Sequence, residues 1–227
     1  MLQRERNRTP QLTLLDDVEI VEPVTEQKNA RSSILEAARI HLLHGYDLSY
    51  YYGMDKLADA SNNNIEQFIR LSGVLVEQLL ARTVLGKKPE LTAKSQHEAL
   101  VGQANKIMAE WDFPYHLMVK KLINEIADRC VTKTLEPNAP LEGGANAIGV
   151  PQADLQKILA RSERLTRVLH FAFAYKALIF VPEYSCKGKA WCLLELGAIP
   201  CISHNLTLRR GGFIEGSLSD LNDWIGE

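Results

Sequence analysis

The chain has 227 residues, 46% of them hydrophobic, which suffices for one large or two small domains with real cores, and its formal net charge is -2. That balance, with a pI near 6.3, excludes a protein whose whole surface attracts nucleic acid and leaves only a local basic patch. The charged opening MLQRERNRTPQ is followed by no apolar run of the signal-peptide kind. Nothing approaches the roughly 20 apolar residues that span a bilayer, so a cytoplasmic protein with no membrane partner is expected. In that compartment Cys130, Cys186, Cys192 and Cys201 are expected to be thiols rather than disulfides.

Residues 1–28 read as a polar extension in which only LTLLDDVEIVEPV is strand-like. Helical patterning begins at Asn29, where NARSSILEAARIHLLHG places Ile34, Ala37, Ala38, His41 and Leu42 on one face and stops at Gly45, a C-cap residue. YYYGMDKLADASNN offers Leu57 and Ala58 to a short helix that ends in the polar run 61–64. Asn64 then N-caps IEQFIRLSGVLVEQLLAR, whose Ile65, Phe68, Ile69, Leu71, Leu75, Leu79 and Leu80 form a broad apolar stripe. LTAKSQHEALVGQANKIMAEWD and PYHLMVKKLINEIADRCVTKTL predict two further helices, the second opened by Pro114. A helical, bundle-like domain is thus expected over 29–136.

Prolines and glycines concentrate in LEPNAPLEGGANAIGVPQ, which predicts a linker over 137–152. Beyond it, ADLQKILARSERLTRVLHFAFAYK reads as a helix with Leu155, Ile158, Leu159, Leu165, Val168 and Leu169 inward, followed by a strand ALIFVPEY. The basic turn CKGK leads to an expected helix AWCLLELGAIPCISH and then to the strand-like LTLRRGGFIEG. The predicted fold is therefore mainly α, with a small winged-helix-like α+β module over 153–227.

No catalytic constellation is evident. The G-x-x-x-x-G-K-[ST] loop of nucleotide chemistry is missing, and GGANAIG follows a proline turn and carries no lysine for a phosphate. Cys186, Cys192, Cys201 and His204 offer zinc-ligand residue types, but their C-x5-C-x8-C-x2-H spacing fits no standard finger. Cys192 and Cys201 read equally well as small core hydrophobes, and Cys186 as a loop thiol with no histidine nearby in sequence. The scattered histidines lack H-E-x-x-H spacing, and pairs such as Asp16/Asp17 and Glu110/Asp112 read as solvated charge. Tyr50, Tyr51 and Tyr52 read as packing between helices rather than a stacking platform.

Binding is better represented. Arg161, Arg164 and Arg167 recur along one side of a helix, and Lys187, Lys189, Arg209 and Arg210 add to them in the same module. In a winged helix, LRRGGF would form a hairpin wing whose arginines reach double-stranded DNA. Glu163, Glu183, Glu195, Glu215, Asp220 and Asp223 nearly cancel these cations, which favours docking to a protein over contact with DNA.

YYYGMDKLADASNNNIEQFIRLSGVLVEQLL, TLEPNAPLEGGANAIGV and LGAIPCISHNLTLRRGGF together resemble the C-terminal half of bacterial ATPases related to the origin-recognition type of AAA+ and STAND proteins. The resemblance implies lid helices followed by a winged-helix-like domain, with no cofactor in this chain and ATP held by a motor portion or subunit that it lacks. It implies a switch role such as those in phage defence, with an ATPase core as partner, while the sequence leaves open whether the chain forms an oligomer. Asn64 and Arg70 would be the residues near the nucleotide. However, Glu66 follows Ile65 where the family places an arginine, and Arg70 lies more than a turn along. The alternatives are a DNA-binding winged-helix protein, a purely structural subunit and a zinc- or thiol-dependent enzyme.

Overall fold

The computed structural model describes residues 24–137, 143–155, 163–186 and 188–226. The chain divides at Ser33, and Ile34–Glu227 form one compact unit. Its helices are α1 (Val24–Tyr46, from Ile34 onward), α2 (Met54–Ser61), α3 (Ile65–Val84), α4 (Ala93–Ala109) and α5 (His116–Thr134). Then come β1 (Ala145–Pro151), α6 (Glu163–Ala174), β2 (Leu178–Cys186), β3 (Lys189–Leu196), α7 (Ala198–Ser203), β4 (Gly212–Glu215) and α8 (Leu218–Ile225). A mainly helical protein with a small mixed sheet is the result. No described helix is long and apolar enough to cross a membrane.

The expected helices form, with the predicted cap at α3 but a different start for α5 and a different inward face on α1. Asn64 caps α3, its side chain accepting from the Glu66 and Gln67 amides at 3.0 and 3.4 Å. Asn62 and Asn63 before it take left-handed backbone angles, which asparagine tolerates, and turn the chain from α2 into α3. Pro114 lies just outside α5, whose N-cap is Tyr115. On α1 the inward face is Ala37, Ile40 and Leu43, whereas Ile34, Ala38, His41 and Leu42 of the expected face are exposed.

The sheet has the order β2-β3-β1-β4, with β2–β3 and β3–β1 antiparallel and β1–β4 parallel. Two expectations change here. Residues 145–151, assigned to a linker, form β1 inside the sheet, with Ala145 to Val150 buried. α5 locks onto it: Thr134 Oγ1 accepts from the Ala145 amide at 2.9 Å, and the Cys130 thiol faces the Ala147 carbonyl at 3.6 Å. The expected helix from Ala190 is instead β3, helical only from Ala198 to Ser203. Flanked by β2 and β1, Trp191 to Leu196 are buried without alternation, and a run buried on both faces carries no strand periodicity.

One apolar core runs from Ile40 and Leu71 through Ile123 and Ile126 of α5 to Ile148, Leu194 and Leu165. The helical part and the sheet therefore share their interior. The wing is also corrected: residues 206–211 are a connection, and β4 after them pairs in parallel with β1, so LRRGGF is not a hairpin.

Candidate functional site

The cations singled out in the sequence are spread over separate elements. Arg161 and Lys187 lie outside the described residues. Arg164 and Arg167 are exposed on α6, where Arg167 pairs with Glu163 and approaches the Tyr115 hydroxyl at 3.4 Å. Those two contacts, the hydroxyl first, hold its guanidinium above the ordinary range. Lys189 is exposed at the start of β3, 5.9 Å from the Trp191 ring centre. Arg209 binds Asp59 of α2 at 3.2 Å, which raises its affinity for its proton, and Arg210 binds Glu195 of β3. Arg209 and Arg210 thus tie the connection before β4 to the rest of the unit.

The cysteines do not assemble either. Cys186 is half-buried at the end of β2, Cys192 is buried opposite Val150 of β1, and Cys201 is buried in α7 with its thiol toward the Leu196 carbonyl at 3.5 Å. His204 bonds Asn124 at 3.2 Å, and burial keeps its imidazole neutral more readily than usual despite Asp128 at 3.9 Å. Burial pushes the Cys130 thiol up to about 12 and Cys201 higher still, the opposite of an activated nucleophile. Among the described residues, no group of three or more His, Cys, Asp or Glu side chains is placed to hold a metal.

Sequence reasoning passed over a buried charge cluster. The Glu36 carboxylate accepts from Tyr50 Oη and from Lys56 Nζ, both at 2.6 Å, and Lys56 also donates to Tyr50 at 2.7 Å. Burial works against the charge on Glu36, but the Lys56 and Tyr50 hydrogen bonds and the nearby cations prevail and hold it below the usual carboxyl range. Burial lowers Lys56, and burial with the Glu36 charge raises Tyr50. The cluster floors a cavity of about 370 Å³ that Arg39 and Arg209 also line. Each of its groups holds the others, so it fixes α1, α2 and the Tyr50 turn together. Tyr51 strengthens that turn, buried with its hydroxyl on the Cys201 and Leu206 carbonyls and its ring stacked on His97, whereas Tyr52 is exposed.

Asn64 and Arg70 do line one cleft, of about 420 Å³, together with Gln67, Trp111, Tyr175 and Lys176. Arg70 holds Glu110 there at 2.8 Å, and Asn64 is committed to its cap.

The most unusual surface lies along α3. Only Leu71 of this 20-residue helix is buried, although its apolar stripe is broad. Ile65, Ile69, Val76 and Leu80 are 72, 61, 50 and 59% exposed. At 3.6 residues per turn these positions fall on one side of the helix. Val76 also lines an apolar groove of about 410 Å³ formed with Met54, Leu57, Phe68, Leu75 and Leu79. Stripe and groove make one continuous apolar surface across α2 and α3. No protein-family model matches this chain, and no curated protein or solved structure is detectably similar to it.

Proposed function

We propose that this chain is a non-catalytic interaction module that docks a protein through the exposed apolar face of α3 and the groove beside it. The observation that carries the reading is the exposure of Ile65, Ile69, Val76 and Leu80 along one side of a capped helix. A contiguous apolar patch on a folded surface marks a place where another macromolecule sits. Apart from the occupant of that face, the sequence resemblance points to a nucleotide-hydrolysing core as a further member of the assembly, with its movement relayed through these helices by rigid-body displacement. The core shared by α5 and β1 supports that mechanism, because it would move both parts together.

Photocrosslinking tests the reading. A photoreactive phenylalanine at Ile69 is expected to give a discrete protein adduct in the source cells, and the same group at exposed Arg164 none. No adduct from Ile69, or equal adducts from both positions, would refute it.

A further inference from the structure

Four of the exposed apolar side chains of α3 are placed symmetrically about one point, with Val84 at the C-terminal end standing outside the pattern. Ile65 and Leu80 lie equally far from the Ser72–Gly73 step, and so do Ile69 and Val76. Arg70 and Glu77, of opposite sign and two turns apart on one line, follow the same symmetry to within two residues, about 3 Å along the axis. At the centre stands Gly73, a residue type among the poorest helix formers. A Cβ placed on it meets nothing within 4 Å, so no contact among the described residues requires glycine there.

We infer that α3 binds α3 of a second copy of this chain, antiparallel across a two-fold axis at Ser72–Gly73. This rests on the reading of the α3 face as a docking surface and names its occupant. In an isologous pair each contact occurs twice. Ile65 meets Leu80 of the second copy, Ile69 meets its Val76, and the small Ser72 and Gly73 let the two backbones approach at the crossing. Arg70 faces Glu77 of the second copy on both sides of the axis. Within its own chain Arg70 holds Glu110 through Nη2, while its Nη1 stands 3.9 Å from Glu66, leaving that edge of the guanidinium for the incoming carboxylate.

The test is the sedimentation of the purified full chain. Wild type is expected at twice 25.5 kDa at micromolar concentration and above, and Leu80→Lys at 25.5 kDa with unchanged circular dichroism. Glu77→Arg, which sets like charges together twice, should weaken the dimer about tenfold. Gly73→Leu should separate the copies without unfolding the monomer. A wild-type monomer up to about 100 µM, or a dimer indifferent to all these changes, overturns the inference. If the chain is monomeric yet Ile69 still crosslinks to a different protein, self-association fails and the docking surface stands. If Ile69 gives no adduct at all, both fail.

Discussion

Gly73 and Gly197 are both glycines with ordinary negative φ, yet their surroundings predict opposite outcomes. A methyl at Gly197 would fall on the Lys176 carbonyl oxygen, a backbone atom that cannot turn aside. Gly197→Ala is therefore expected to cost about 1–3 kcal/mol in urea unfolding. Gly73→Ala meets open space and should stabilise the monomer by up to about 1 kcal/mol, the helix-propensity difference between the two residues. A loss of stability at Gly73 would mean that something inside the chain already uses the site. Glu36 behaves differently because its charge is enclosed. Glu36→Gln removes the counter-charge of a buried ammonium, and a loss of about 3 kcal/mol is expected. Since the folded state holds the Glu36 carboxyl below its ordinary value of 4.5, its contribution is complete above that pH and is lost as pH falls through the lower folded value. Urea-unfolding midpoints of wild type and Glu36→Gln should therefore converge as pH is lowered, and a gap that stays constant with pH would contradict the assignment.

Among the elements, α3 depends on its cap and the segment before β4 on its arginines. Asn64→Ala should lower stability by about 1 kcal/mol. Arg210→Ala should cost more than Arg209→Ala, because it leaves Glu195 nearly buried without a cation, whereas Asp59 keeps more contact with water. Thermal unfolding of the two variants decides this, and the reverse order would show that the Glu195 pair contributes little. The same elements show what the sequence could reveal. The helices α3, α4 and α5 are legible because each is long and amphipathic, and Asn64 marks one start openly. β3 is illegible because a central strand buried on both faces reads as a featureless apolar run. β1 is hidden by its composition: Gly149 and Pro151 look like a loop, and only the fold shows the Phe213 ring lying where a side chain at Gly149 would go. Arg209 and Arg210 read as free binding cations because nothing in the sequence pairs Arg209 with Asp59, 150 residues away, or singles out Glu195 as the partner of Arg210. The α3 stripe could be read as apolar, but which of its positions lack a covering neighbour is a tertiary fact. The Glu36, Tyr50 and Lys56 cluster gives no sequence signal, since neither their spacing nor their chemistry sets them apart from surface residues.

At the largest scale, within Ile34–Glu227, a helical layer and a four-stranded sheet share one core through α5, while α3 leaves Ile65, Ile69, Val76 and Leu80 exposed. That uncovered apolar edge is the surface on which the proposed docking rests. The most direct test is the native mass of the assembly formed by this 227-residue chain expressed in the source cells, for wild type and for a variant carrying Ile69→Lys and Leu80→Lys. Both positions are exposed, so the variant should fold as wild type does. Wild type is expected in an assembly heavier than 25.5 kDa and the variant as a folded 25.5 kDa monomer. A wild-type protein found alone at 25.5 kDa, or a variant that stays in the assembly, would contradict docking through α3.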